Sequence, residues 1–560
     1  MSALDFPVLD FELPDSLAER EQETIVDAPI YTLDVETDPF QYGRVPRPFV
    51  CGLYDGDKFS YTWGKDCVPQ MEEKILALPP GLIYMHNGGK FDIYYFMRMI
   101  FGEKAFIVNR RIVRAKVRLP SGKHHEFRDS YAIMPFPLKD FDKGEIDYAK
   151  MERAVRNKHK TEILTYLKRD CESLHRLVSE FVMRFGPYLT IGSLAMKELR
   201  AVHEFEPLGP YADADVRERY YYGGRVECFQ KGIMPGPWKV YDVNSMFPAA
   251  MKHFEHPMEM PEAETVRIRK STCFITAEGR NYGAFPQRTR DGLRFDIEDG
   301  TFHVTRHEWD AAERLGLFEP RKIRRCVNYR RRATLEEFVD KFYALRKKAK
   351  DSGDTFGAIF YKYILNSAYG KFAQNPEKYY EWAITGIDAS APASKGRPKK
   401  DGSKPAEWSR GLIAPDAEFP FCVWMRPSAN HSRYNIAVGA SITGAARAIM
   451  MEAIANADTP IYCDTDSLIC RELNFGEVDP SKLGAWKLEH EGIDTAMIAR
   501  RKLYALMKDG ECVKMACKGV RFDAAQIERV CRGETVVYKR DAPTFKLDGS
   551  VGFIERRIAL

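Results

Sequence analysis

The sequence predicts a multidomain α/β (α+β) protein, and three observations point there. The chain has 560 residues, about three to five domains' worth. Short apolar strands end in carboxylates near residues 30–37, 240–243 and 461–469. Helices separate them: one over 161–185, two over 336–373 and a long one over 434–457.

Hydrophobic content of 44% supplies sizeable cores. The 12 cysteines are scattered without a Cys-x-x-Cys pair, and Cys463/Cys470 and Cys512/Cys517 lack zinc-ligand spacing, so reduced intracellular thiols are expected. No apolar run is read as approaching the ~18 residues of a membrane span, and the start lacks a basic secretory region. The net charge of +5 hides an asymmetry. Residues 1–30 hold eight acids and one base, leaving 84 basic against 72 acidic side chains in the rest. Bases cluster at 110–118, 321–332, 346–350, 395–404 and 500–502, with aromatics interleaved. That pattern predicts a track for a polyanion, nucleic acid first.

Taken in order, residues 1–28 read as an acidic, loosely ordered extension. Ile30 to Thr37 is a buried strand whose period of two sets Asp34 and Glu36 on one face. Tyr84 to Asp92 is a strand entering a Gly-rich turn; Asn87 suits a sugar or phosphate edge and Phe91 a base. On 161–185, Ile163, Leu167, Leu174, Val178, Phe181 and Phe185 form an apolar stripe, with Tyr166 and Asp170 one turn apart. Asp34, Glu36, Asp92 and Asp170 are an inventory for two metals ~4 Å apart that activate a water against a phosphodiester. Tyr166 would orient that water.

Tyr221-Tyr222-Gly223-Gly224 precedes a strand, and alone it is no more than a turn. The strand to Val243 carries Asp242, and Pro248 is expected to help end regular structure. In the second of the 336–373 helices, Lys362, Asn366 and Tyr369 share a narrow face. That face suits a nucleotide: Lys362 on the triphosphate, Tyr369 against the new base pair. Gly370 costs helix stability of ~1 kcal/mol, a sign that close approach matters there. Lys341, Arg346 and Lys347 are further phosphate candidates. Ala389 to Lys404, rich in small residues and lysine, reads as a basic tip. Arg447 interrupts an apolar run and needs an anion partner. Tyr462-Cys463-Asp464-Thr465-Asp466-Ser467 reads as strand, tight turn, strand, with both carboxylates on one side and a divalent cation between like charges. Lys502 and Tyr504 are expected on one face of a strand. Residues 521–560 are a mixed tail.

These motifs, in this order, resemble the protein-primed family B DNA polymerases. Asp34-x-Glu36, Asn87-x3-Phe91-Asp92 and Tyr166-x3-Asp170 look like three exonuclease motifs. Lys143 to Tyr148 resembles the segment that supplies a catalytic lysine, here Lys143. Asp129-Ser130-Tyr131 resembles a strand-binding motif in which leucine is usual at Tyr131. Tyr221-x-Gly223-Gly224 resembles the linker that passes the primer between two active sites. Asp242-x-x-Ser245-Met246-Phe247-Pro248 resembles motif A, with Phe247 in place of tyrosine; the ring still excludes a ribose 2′-hydroxyl. Lys362 to Gly370 resembles motif B, Thr443-x-x-Ala446-Arg447 a template-binding motif, Tyr462 to Ser467 motif C, and Lys502-x-Tyr504 a primer-terminus motif.

The resemblance implies a ribonuclease-H-like exonuclease domain (29–195) followed by a right hand. Its parts are palm (196–262), first terminal-protein-region insertion (263–335), fingers (336–374), second insertion (375–425), palm (426–520) and thumb (521–560). It implies a template-directed DNA polymerase that replicates linear DNA from a terminal-protein primer, with strand displacement and 3′–5′ proofreading. Two Mg²⁺, or Mn²⁺, are implied per site: on Asp242, the Val243 carbonyl and Asp466, with catalytic Asp464 beside them, and on Asp34, Glu36, Asp92 and Asp170. Ser245, Met246, Phe247, Lys362, Asn366, Tyr369 and Arg346 would bind the dNTP. Thr37, His86, Asn87, Phe91 and Ser130 would grip the frayed primer. Tyr221, Gly223, Gly224, Ser367, Gly370, Thr443, Arg447, Lys502 and Tyr504 would contact DNA. The implied partners are template, primer, dNTPs, a terminal protein and a single-stranded DNA-binding protein, for a cytoplasmic monomer without a membrane. The alternatives are a family B polymerase that initiates de novo, a nuclease alone, and a catalytically silent DNA-binding protein.

Overall fold

The structure is a computed structural model. It describes residues 28–137, 145–290, 292–375, 380–390, 407–414, 421–427, 434–547 and 550–560. The acidic extension to residue 27, Lys143 and most of the 389–404 tip lie outside the described residues.

The N-terminal strand Ile30–Thr37 alternates as its sequence requires. Tyr31, Leu33 and Val35 enter one core, with Ile83, Ile93 and Phe96. On the opposite face, Thr32 Oγ1 donates to the Cys171 carbonyl at 2.8 Å and ties the strand to helix Lys160–Phe185. The expected stripe is that helix's buried side, and Tyr166 and Asp170 lie on it. The strand is one of ten in a sheet whose spatial order is Ser409–Ala414, Phe421–Pro427, Tyr380–Gly386, Lys104–Val108, Arg111–Arg118, His124–Asp129, Leu82–Met85, Ile30–Thr37, Pro48–Tyr54 and Phe59–Trp63. Three of these strands come from the 375–425 segment, so that segment extends the N-terminal sheet. Trp382 pairs with Ala105, and Ile384, Phe421 and Val423 join the N-terminal core.

A seven-stranded sheet forms the centre, in the order Glu511–Cys517, Leu503–Lys508, Trp486–Arg500, Gly232–Val243, Ser467–Cys470, Tyr462–Asp464 and Val226–Cys228. Helix Ile436–Ala455 backs it. This helix is apolar on nearly every side, and such helices are interior ones. By length and composition it is the one described helix able to cross a membrane, which corrects the expectation of no span-length run; 89% of its 18-residue apolar window is buried.

Helices Glu336–Asp351 and Thr355–Phe372 form the expected pair. Gly353 turns left-handed between them (φ 75°), and the Asp354 carboxylate caps the second by accepting from Gly357 N at 2.9 Å. Residues 263–335 build a small sheet (Asp299–Thr305, Thr272–Asn281, Phe318–Asn328) with helix Arg306–Leu315. The tail is helix Ala524–Cys531 and a hairpin, Val536–Phe545 with Val551–Ile558.

Candidate functional site

Two carboxylate clusters form, one in each large sheet. In the N-terminal cluster, carboxylate oxygens of Asp34, Glu36 and Asp170 lie within 4.8 Å of one another. Asp92 stands beside them, and its carboxyl is pushed well above the usual range by burial first and then by Asp34. The Cys171 thiol is also pushed up, by burial and by all four acids. The Tyr166 hydroxyl is raised by burial, Glu36 and Asp170, and lies 3.4 Å from the Tyr148 hydroxyl. A donor set of carboxylates alone fits a hard divalent cation such as Mg²⁺.

The rim of this cluster is built differently from the expectation. Ser130 is fully buried, so it supports rather than grips: its Oγ lies 3.0 Å from His86 Nδ1 and donates to the Met85 carbonyl at 3.3 Å. Asn87 adopts a left-handed backbone (φ 59°), and its Oδ1 accepts from Arg111 Nη2 at 2.8 Å. Arg111, read from sequence as part of an exposed basic track, is instead buried and paired with Asp129. Its guanidinium lies 4.6 Å from the Tyr131 ring, a stacking partner that a leucine at that position would not offer. Phe91 packs among Phe40, Tyr95 and, from the C-terminal hairpin, Phe545, with ring centroids 5.3–5.5 Å away. Thr37 is buried, its hydroxyl on the Asp38 carbonyl.

At the centre, strand pairing brings distant acids together. Asp242 faces Ser467 in register, and Val243 N donates to the Asp466 carbonyl at 2.8 Å. On its other side Asp242 faces Lys487. Its carboxyl is pushed up to about 7, by burial and then by Glu489, against Lys514, Lys487 and Lys362. Glu489 was missed from sequence. It is held by Lys514 at 2.7 Å and Lys487 at 3.5 Å, and its only local signal is the alternation of Lys487 and Glu489 along an otherwise ordinary strand.

Lys362 feels both Asp242 and Asp466, while burial, Arg346 and Lys350 lower its pKa. The Arg346 Nε is buried without a hydrogen-bond partner, and burial lowers that group too. Like charges gathered beside two carboxylates form a cradle for a polyanion. Phe247 stacks on Tyr369, with centroids 4.0 Å apart and planes at 19°. Asn366 is exposed on the same helix, with Ser367 and Gly370 half-buried beside it. Ser245 turns left-handed (φ 58°) to start helix Met246–His253.

Pro248 lies inside the first turn of that helix, where its missing N–H costs nothing, so it begins structure instead of ending it. The Met246 side chain is buried in the core, which leaves only its main-chain N–H for a nucleotide. Asp464 and Asp466 are separated by left-handed Thr465 (φ 59°), so a strand's period does not relate them. The Asp464 carboxylate instead accepts from Lys502 Nζ at 2.6 Å and the Tyr462 hydroxyl at 3.1 Å. Lys502 sits in a left-handed turn (φ 58°) before strand Leu503–Lys508, while Tyr504 packs on Tyr462 with centroids 5.0 Å apart.

Arg447 is turned into the protein interior. It is 1% exposed, and its anion is Glu308, at 2.7 and 2.9 Å. Thr443 is also buried, its hydroxyl bonded to the Gly439 carbonyl of its own helix. A side chain at Gly224 would meet Thr465 at 2.7 Å, so the close approach there is to protein. The arginines near 321–332 are largely matched: Arg321 with Asp299, Arg324 with Glu278, Arg325 with Asp215 and Glu264.

A family model described as DNA polymerase type B, organellar and viral, matches residues 139–466. The DNA-directed DNA polymerase of Enterobacteria phage PRD1 is 42% identical over 570 residues, covering 96% of this chain and 99% of that one. The DNA polymerase of Bacillus phage B103 is 26% identical over 475 residues, 74% of each chain. The solved structure of phi29 DNA polymerase superposes with a TM-score of 0.71 at 20% identity, covering 95% of this chain and all of that one. Its ternary complex with primer-template DNA and incoming nucleotide gives 0.70 over the same share.

Proposed function

Because the chain belongs to the organellar and viral type B DNA polymerases, the protein-primed family B group, and is a DNA-directed DNA polymerase, we propose that it copies linear DNA from a terminal-protein primer. The reading includes strand displacement, 3′–5′ exonuclease trimming, and the division into exonuclease, palm, fingers, thumb and two insertions given above. It also places the enzyme in the cytoplasm of a bacterial host. The observation that carries it is the strand register that sets Asp242 opposite Ser467, next to Asp466, where Lys362 feels both carboxylates.

In this reading Asp242, Asp466 and the Val243 carbonyl hold Mg²⁺ at the central site, and Asp34, Glu36, Asp92 and Asp170 hold it at the N-terminal one. The raised Asp242 carboxyl fits that role, since burial disfavours its charged form and a bound cation would restore it. Bound there, the metal supplies Lewis-acid activation of the primer hydroxyl, or of a water, and charge for the leaving oxygen. Lys362 and Arg346 take the triphosphate. The Phe247–Tyr369 stack forms a flat wall under the sugar and base and excludes a 2′-hydroxyl by contact. Lys502, already anchored on Asp464, presents its remaining donors to the primer terminus. At the other site Tyr166 orients water, and His86, Asn87 and Phe91 receive the frayed end. Primer-template DNA and nucleotide, which phi29 DNA polymerase binds in its solved complexes, are the substrates proposed here.

Incubation with template, Mg²⁺, one labelled dNTP and candidate terminal proteins tests the priming mode. Label covalently attached to protein is the expected result. Label appearing only in free oligonucleotides would instead assign de novo initiation.

A further inference from the structure

We propose that the 263–335 segment is a working part of the central site: its Glu308 and Arg288 are positioning residues that fix the 221–225 linker and, through it, the Asp464–Asp466 turn. The proposal rests on the polymerase reading of that site. Glu308 is fully buried. It closes a capping box with Thr305 and accepts both Arg447 Nε and Nη2. Arg447 Nη1 then donates to the carbonyls of Tyr222 at 2.8 Å and Gly223 at 2.9 Å. Arg288 donates to the Tyr221 carbonyl at 2.8 Å. The Tyr222 ring has two guanidinium groups near it, Arg288 at 5.3 Å and Arg447 at 5.4 Å. Arg225 lies 4.2 Å from the ring of Phe295, another residue of the segment.

The linker in turn holds motif C. The Arg225 carbonyl accepts from Thr465 N at 2.7 Å, and Val226 pairs with Asp464 in the sheet. Gly224 is pressed against the Thr465 side chain. A further tie runs to the turn that carries Lys502, where Arg501 Nη2 donates to the Leu293 carbonyl at 2.8 Å. Neutralising Glu308 leaves Arg447 buried and uncompensated, so the Tyr222 and Gly223 carbonyls lose a fixed donor, and Thr465 and Asp466 lose their reference position.

The test uses the full chain carrying Glu308→Gln and, separately, Arg288→Met, a change at an exposed side chain. Single-nucleotide incorporation is measured against Mg²⁺ and dNTP concentration, and the same preparations digest a single-stranded oligonucleotide. The expected result for E308Q is a fall in kcat of about 10-fold or more, with R288M smaller but in the same direction. The Mg²⁺ needed for half-maximal incorporation should rise, while dNTP KM and digestion stay within about twofold of the parent. Unchanged incorporation and Mg²⁺ requirement in both variants would overturn the proposal. So would an equal loss of incorporation and digestion together with a lowered Tm, which would reduce Glu308 to a folding role. A parent chain that digests but never incorporates would contradict the polymerase reading itself, a separate failure.

Discussion

The two carboxylate clusters are alike in composition and differ in their electrostatic settings. Burial raises Asp92 and Cys171 most, and among the described residues the charged groups that add to it are other acids. Asp242 also meets an acid, Glu489, but three lysines offset it. Under the proposed function, the contrast follows from what each substrate brings. A triphosphate carries charge that must be neutralised as it binds, so the central site keeps Lys362, Arg346 and Lys350 close together despite their mutual repulsion. On the same reading a strand end brings one phosphodiester, and a concentrated negative pool able to gather divalent cations would serve it.

The sharpest way to break this contrast is at the carboxylates. Asp466→Ala should cut incorporation by at least ~10³-fold and leave digestion of single strands intact. Asp464→Ala should cost less than Asp466→Ala, because Asp464 already spends its carboxylate on Lys502 and Tyr462; primer-extension rates for the pair check the order. Asp170→Ala should remove digestion to a similar extent and spare incorporation. Phe247→Val opens the wall against Tyr369 and should lower discrimination against ribonucleotides by roughly 10- to 100-fold, read from the ratio of kcat/KM for rNTP and dNTP.

A further expected effect is on stability. The Asp242 carboxyl is raised from 3.8 to about 7 on folding, so the folded chain holds a proton that the unfolded chain has lost. Without divalent cation, its contribution to stability is full below about pH 4 and falls as pH rises toward 7, by at most ~1.4 kcal/mol per pH unit. Asp242→Asn should flatten that slope in denaturant titrations across this range, and Mg²⁺ should oppose it in the parent.

The acids were legible because each announces itself locally: an apolar strand that ends in Asp34 and Glu36, or in Asp242, has little reason to do so except for a cation. The Tyr166/Asp170 pair and the Lys362, Asn366, Tyr369 face were legible because helical spacing fixes which side chains meet. Residues whose roles depend on long-range packing were not. Arg447 was expected on an anion, but nothing near it in sequence names Glu308, 139 residues away. Arg111 looks like any surface arginine until Asp129 and Asn87 close around it. Glu489 matters only because its strand pairs beside Asp242. Lys502 and Asp464 were misjudged for one reason: a single left-handed residue breaks the alternation on which a strand reading relies.

Separate pools of acid are expected to lengthen and to shorten a strand. A time course on one 5′-labelled primer–template with all four dNTPs tests it, run with the parent, D34A/E36A and D242A/D466A. The account predicts that D34A/E36A yields only longer products and D242A/D466A only shorter ones. Loss of both directions in either variant, or growth of the primer in D242A/D466A, would contradict it.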